Sequence, residues 1–389
     1  MLTRRAFLSG TAAAAALASF PGIVHGAVNS DRRLVVIVLR GGLDGLGMVP
    51  PLSDPRLRTW RPNLSQAIEA RAGIVPLTAD FGLDNRADNI GRLFAKGEVG
   101  FAHAVATPYR ERSHFDAQDV LENGTATNAG ARDGWLNRVV GALAPARPDY
   151  ALSAGWSQSY LMKGPAPTIG WAPDSRLPLA SNTQTVLQTL YAKDPLFAQA
   201  FQGAVAMRGE GMAGMGQPRV RPGDTSSIGA MVGQALSAPQ GTRIAGFAVG
   251  GWDTHIGQVN LLGTALGRLD ATLMSLYDGL GAAWNNTAVL AVTEFGRTVR
   301  ENGTHGTDHG TASVMMFGGG LMRGGQVIGD WPGLAEKDLH QNRDLRPTSD
   351  VRRYAAWTLK GLYGLSDAVL TSRIFPGLEM GRDPGILKL

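Results

Sequence analysis

The sequence predicts an α/β fold built on a mostly parallel sheet. Three observations carry this. Five short apolar runs, residues 34–39, 99–106, 243–249, 288–292 and 312–317, mostly lack apolar–polar alternation. That is the pattern of strands covered on both faces. Helix-like stretches lie between them, and strands alternating with helices give an α/β architecture. Finally, 52 of the 389 residues are glycine, which fits many tight turns and close backbone approaches.

The chain opens Met1-Leu2-Thr3-Arg4-Arg5-Ala6-Phe7-Leu8-Ser9. An arginine pair with Phe and Leu behind it is a twin-arginine export signature. The alanine-rich run from Gly10 to about Phe20 is too short and too weakly apolar to span a bilayer. Small residues gather at Val24-His25-Gly26-Ala27, so cleavage before Ala27 is expected. Residues 1–26 then form the signal, the twin-arginine translocase is the export partner, and residues 27–389 form one domain working in the periplasm or beyond. The absence of cysteine excludes a lipoprotein anchor, and no later segment is long and apolar enough to be a transmembrane helix.

The formal charge of +5 is spread along the chain. No basic run resembles a nucleic-acid tail; the excess fits either a mild bias toward anionic partners or simple solubility. Without cysteine there are no disulfides, thiol nucleophiles or thiolate ligands. Any site must use His, Asp, Glu, Ser and Arg.

Two segments carry helical spacing. Residues 258–284 place Leu261, Leu262, Leu266, Leu269, Leu273 and Leu276 on a stripe. Residues 350–365 follow Thr348 and Ser349 as candidate N-caps. Residues 203–224, rich in Gly and Met with two prolines, read equally as a flexible lid or a disordered insertion.

Polar residues cluster after the strands: Arg40 to Gly45, Tyr109 to Asp116, Gly250 to His255, and Thr293 to Thr298. Gly306 to Gly310 precede the fifth. In open α/β sheets ligands bind beyond the carboxyl ends of the strands, and four parallel strands would gather these loops. Asp253 and His255 can hold a cation from two sides, with His309 as a third ligand. Two imidazoles and a carboxylate are a zinc-type set. Asp44 and Glu294 suit a second, harder cation of the Mg, Mn or Ca kind, although Asp44 before Gly45 equally fits a tight turn. Ser113 is a candidate nucleophile; it also fits the N-cap of a helix running through Asp116 to Asn123. His114 suits an acid or base toward the leaving group. Arg112 and Arg297 fit either the equatorial oxygens of a tetrahedral anion or an exposed surface. His103 falls inside a strand and reads as a core histidine, while His305 and His340 are assigned no role.

The order of these loops resembles the alkaline-phosphatase and sulfatase superfamily: Asp44 after the first strand, Ser113 before a helix closed by Glu122-Asn123-Gly124, then Asp253 with His255, Glu294, and His309. More closely, the chain is similar to an exported bacterial family, domain of unknown function 1501. The resemblance rests on Arg112-Ser113-His114-Phe115-Asp116-Ala117-Gln118-Asp119, Gly251-Trp252-Asp253-Thr254-His255, Glu294-Phe295-Gly296-Arg297-Thr298 and Gly306-Thr307-Asp308-His309-Gly310. The superfamily implies a three-layer α/β/α fold and a phosphate- or sulfate-ester hydrolase with two divalent metal ions. The attacking group is then Ser113 or a metal-bound hydroxide. There are departures. Glu294-Phe295 stands where the superfamily has an Asp-His pair, and Asp308-His309 is the alternative for that pair. Ser113-His114-Phe115-Asp116-Ala117 lacks the Pro and Arg that mark formylglycine conversion. The missing histidine leaves a second expectation open: a degenerate member that binds an anionic glycan or cell-envelope component. A phosphoryl or sulfuryl transferase is a third.

Overall fold

The computed structural model describes residues 31–71, 73–145, 148–156, 159–173, 186, 189, 190 and 224–388. The export-signal reading, on residues 1–26, and all but the last residue of the Gly/Met-rich segment lie outside these residues.

The strands are β1 (Arg33–Arg40), β2 (Ile74–Pro76), β3 (Gly82–Asp84), β4 (Val99–Ala106), β5 (Ala151–Ala154), β6 (Ile169–Trp171), β7 (Ile244–Gly250), β8 (Thr287–Val292), β9 (Ser313–Gly318), β10 (Val327–Ile328) and β11 (Ser349–Asp350). The five expected strands are all present, within one residue at each end. Among the described residues a nine-stranded sheet runs β10-β4-β9-β8-β1-β7-β5-β6, with β11 also on β4; β2 and β3 pair separately. Strand β1 lies parallel to both β7 and β8. Strand β9 is antiparallel to β4 and β8. The chain between β8 and β9 contains no helix to make a parallel crossover, so it turns back. That reversal decides where the site is. The start of β9 meets the carboxyl ends of β1, β4, β7 and β8, and the residues before β9 join those that follow the other four.

Among the described residues the helices include α1 (Gly45–Met48), α2 (Arg56–Trp60), α3 (Pro62–Arg71), α4 (Asp88–Ala95), α5 (His114–Asn123), α6 (Trp135–Leu143), α7 (Ser226–Ser237), α8 (Gln258–Leu280) and α9 (Val351–Tyr363). Alternate residues of β1 face opposite layers. Leu34, Val36 and Val38 pack with Leu136 and Val140 of α6 and Leu359 of α9. Val35, Ile37 and Leu39 pack with Ile90 of α4, Val232 of α7, and Leu266 and Leu273 of α8. The fold is therefore α/β/α around a mostly parallel sheet. Each leucine so covered contributes about 1.5–3 kcal/mol of burial. Leu261, expected on the apolar stripe of α8, is instead 48% exposed. Helix α9 is capped by the Asp350 carboxylate, which accepts from the Arg352 amide at 2.9 Å, rather than by Thr348 or Ser349.

His103 is a core histidine, as its strand position implied. It sits where β4 breaks register, beside Ala104 at φ +55°. One ring nitrogen, Nε2, lies 3.0 Å from the Val49 carbonyl, and Nδ1 accepts the Ala104 amide proton at 2.9 Å. Both nitrogens of the neutral ring are satisfied, so an added proton has no acceptor. Burial lowers the pKa from 6.5 to about 4, against the Val49 hydrogen bond and the charge of Asp44. Between these values the unfolded chain binds a proton that the folded chain refuses. Stability is therefore complete above pH 6.5 and falls as the pH drops to about 4, by about 3 kcal/mol. Urea unfolding across this range should show the slope in the wild type and a flatter profile in His103→Gln; equal slopes would remove His103 as the cause.

Candidate metal centre

Glycines let the loops close on one another. Gly41, at φ +124°, brings its backbone so near the Trp252–Asp253 peptide that a Cβ would lie 2.6 Å from the Asp253 nitrogen. A left-handed residue with no room for a side chain is a position for glycine. From there the Gly41 amide donates to Glu294 Oε1 at 2.8 Å.

Four groups converge beyond the strand ends. Asp253 Oδ1 lies 3.5 Å from His114 Nε2, 3.1 Å from His255 Nε2 and 3.4 Å from His309 Nε2. His255 Nε2 and His309 Nε2 are 2.9 Å apart. Ligands at ~2.0–2.1 Å around a tetrahedral zinc-type ion are separated by ~3.3 Å. These four spacings bracket that value, and His114, Asp253 and His309 are the set whose ligand atoms all lie within 4.8 Å of one another, with His255 close to Asp253 and His309.

Each imidazole is also held from behind. His114 Nδ1 meets Glu294 Oε1 at 2.9 Å, His255 Nδ1 meets Asp308 Oδ1 at 3.2 Å, and His309 Nδ1 meets the Arg112 carbonyl at 2.9 Å. Acceptors behind all three rings place the proton on Nδ1 and leave the Nε2 lone pairs facing each other. This is the outer arrangement of metal-ligating histidines. Lone pairs at these distances repel unless a proton or a cation lies among them. His114 Nε2 is buried and has no hydrogen-bond partner. His114, Asp253 and His309 offer ligand atoms within 4.8 Å of one another, so these residues fit a divalent cation.

Electrostatics favour the same state at Asp253 and His309 but oppose it at His114, where a proton competes for Nε2. Burial opposes ionisation of Asp253, but Arg297, with His114 and His255, outweighs it and holds the carboxyl at about 2. The Glu294 hydrogen bond raises His114 against its burial. Burial lowers His309, assisted by the neighbouring cationic groups. The Asn302 hydrogen bond lowers Asp308 against its burial, with His255 adding to the effect. Glu294 is lowered as well: burial resists, but donors from His114, Gln118 and Gly41 prevail.

The fold distributes the remaining candidates differently from the sequence expectation. Asp44 does not face the cluster. Its buried carboxylate pairs with Arg61 through two nitrogens, at 2.6 and 3.0 Å, and accepts from Gln258. Its charge is already compensated, which corrects the second-cation assignment. Glu294 supports His114 and also accepts from Gln118 and Thr293. It is behind the ring, not beside Asp44. Arg297 is not available for an anion. Its fully buried guanidinium donates to the carbonyls of Gly41, Gly42, Trp252 and Thr307 and to Asp253. Arg112 is likewise turned away, toward Asp344 and Gln341. Ser113 begins α5 without a side-chain capping bond and stands one residue before His114, beside the Tyr109 phenol. Asp308 stands behind His255.

Sequence reasoning missed Arg61, Gln118, Gln258 and Asp344, and did not count His114 among the candidate ligands. Only the i, i+4 spacing of His114, Gln118 and Glu122, which puts all three on one face of a helix, gave a signal for any of them.

Residues 98–374 match a family described as protein of unknown function, DUF1501. No curated protein matches the chain. Among solved structures, it is similar to the C-terminal periplasmic domain of EcEptC from Escherichia coli. The structure with Zn has a TM-score of 0.38 at 8% identity over 76% of this chain and 74% of that chain. A second structure of that domain gives 0.39 at 10% over 91% and 89%. Ps i-CgsB in complex with k-i-k-neocarrahexaose gives 0.36 at 10% over 86% and 72%. These likenesses are too distant to carry chemistry from one chain to another. The family match, by contrast, runs from just before β4 to beyond α9 and takes in His114, Asp253, His255 and His309, so the chain belongs to the DUF1501 family of proteins of unknown function.

Proposed function

We propose that this protein is a metal-dependent hydrolase of phosphate or sulfate esters. We read residues 27–389 as one domain, exported by the twin-arginine pathway to work outside the cytoplasmic membrane. No helix among the described residues is long and apolar enough to cross a membrane. The observation that carries the enzymatic reading is the convergence of three Nε2 lone pairs on Asp253, each ring fixed from behind. His114, His255, His309 and Asp253 would hold the cation. Three nitrogens and one oxygen suit zinc and its first-row neighbours. A divalent ion in such a site supplies positive charge to an oxygen gaining charge on phosphorus or sulfur, and makes a bound water more acidic.

The chain's own groups have distinct parts. Arg297 holds Asp253 in place and keeps it ionised. Glu294, Asp308 and the Arg112 carbonyl aim the three rings. Asp253 and His255 are 49% and 39% exposed at their side chains, so substrate approaches from their side. Ser113, at the start of α5, is the nucleophile available from the protein itself, and the helix dipole favours negative charge there. One metal centre, not two, is proposed, because the Asp44 carboxylate is neutralised by Arg61.

A second reading is binding without turnover, with an anionic glycan or envelope component as ligand. Two observations favour it, the first being that both arginines expected at the substrate anion, Arg112 and Arg297, are consumed inside the protein. Four protein ligands also match the count of closed, structural zinc sites. Metal analysis of the exported protein, with turnover of nitrophenyl phosphate and sulfate esters before and after chelation, separates the two. The enzyme reading expects about one bound ion and turnover that is lost on chelation and restored by the metal. Bound metal without turnover supports the binder. Protein that neither carries nor takes up a divalent ion overturns both metal readings.

A further inference from the structure

Asp344 lies far from every motif in the sequence, yet its side chain is fully buried beside the candidate centre. Its Oδ2 accepts from Arg112 Nε at 3.0 Å, from Arg112 Nη2 at 2.7 Å and from the Thr311 hydroxyl at 2.7 Å. Its Oδ1 accepts from Arg343 Nη1 at 3.0 Å. Both arginines then reach His309. The Arg112 carbonyl accepts from His309 Nδ1, and Arg343 Nη1 donates to the His309 carbonyl at 2.9 Å. Thr311 is two residues along the same loop. Arg112 has φ +64°, a region that a non-glycine residue rarely occupies and that needs holding by its surroundings. The two-point attachment of its guanidinium to Asp344 supplies that hold. In this conformation the Arg112 carbonyl faces the ring.

We propose that Asp344 is a positioning residue for the metal centre: one buried carboxylate, through Arg112 and Arg343, fixes both the backbone and the ring of His309. It touches neither metal nor substrate. Its effect is to keep the Arg112 carbonyl on Nδ1, so that the proton stays there and Nε2 keeps its lone pair toward Asp253. The inference rests on the metal reading for its consequence, but the geometry of His309 stands without it.

The test uses Asp344→Asn, with Arg112→Gln/Asp344→Asn as the variant that leaves neither charge alone if the single change does not fold. Two readouts are taken on the whole exported chain. In metal-free protein with labelled histidine, proton–nitrogen correlation spectra report the tautomer of each ring. The wild type is expected to show His309 protonated on Nδ1, and either variant is expected to lose that preference while His255 keeps its own. With cobalt(II) as the probe, affinity is expected to fall about 10–100-fold, the usual cost of a lost outer partner, and the absorption bands are expected to move toward those of His309→Ala. A folded variant with an unchanged His309 tautomer and unchanged cobalt spectrum overturns the proposal. If the wild type takes up no cobalt, the metal reading fails while the tautomer result still decides Asp344.

Discussion

Replacing His114 with alanine is expected to abolish metal binding and ester turnover together while leaving the fold intact. His114 is the one ring of the three whose Nε2 is buried with no hydrogen-bond partner. Asp253 Oδ1 is 3.5 Å away, beyond a normal hydrogen bond, so a cation between the two is its natural complement. Removing an outer partner of a metal-ligating histidine costs about 10–100-fold in affinity, and removing the ligand itself should cost more. The fold should survive, since the side chain is 22% exposed. Glu294 also keeps its bonds from the Gly41 amide, Gln118 and Thr293. Calorimetric titration with zinc, beside thermal melting of the metal-free protein, gives both numbers. Undiminished zinc affinity in a folded His114→Ala protein would sink the ligand assignment. Ser113→Ala is the matched control, one residue away. It should retain the ion, and its turnover reads directly whether the serine hydroxyl takes part.

The second large effect lies behind the site. Asp44 and Arg61 are 1% and 3% exposed at their side chains and form a two-point ion pair, with Gln258 as a further donor to Asp44. The remaining Arg61 donors go to the Val299 and Thr298 carbonyls. Asp44→Ala leaves a buried guanidinium without its counter-charge, a loss of about 3–5 kcal/mol. Urea unfolding of metal-stripped protein should show this loss in full, because the ion pair needs no metal. Metal stoichiometry of the folded fraction should not change. If Asp44 were instead a ligand, the stability difference would shrink after chelation and metal content would fall. The two accounts therefore differ on both measurements.

Much of the fold was legible because the signal was local. Residues 34–39 and 288–292 are apolar without alternation, and a strand covered on both faces needs nothing else. The boundaries of β4 followed directly. Less legible was the direction of β9. It depends on the absence of a crossover helix after β8, and apolar pattern does not encode direction. The export reading rests on Arg4 and Arg5 as a linear motif and stays an expectation from sequence.

The site divides the same way. Asp253, His255 and His309 could be named from residue type and from their place beside strands, and they do come together. His114, read from sequence as an acid or base beside Ser113, joins the same cluster. For Asp44, Arg112 and Arg297, residue type suggested chemistry that their surroundings do not leave free. The sequence by itself determined five of the segments that form the sheet and which loops carry ligand-type residues. Only the tertiary structure decided which charges are spent. A buried charge must be paired by whatever opposite charge or carbonyl the fold brings to it. Here the partners came from far along the chain: Arg61 for Asp44, Asp344 for Arg112, and the Gly41 and Gly42 carbonyls for Arg297.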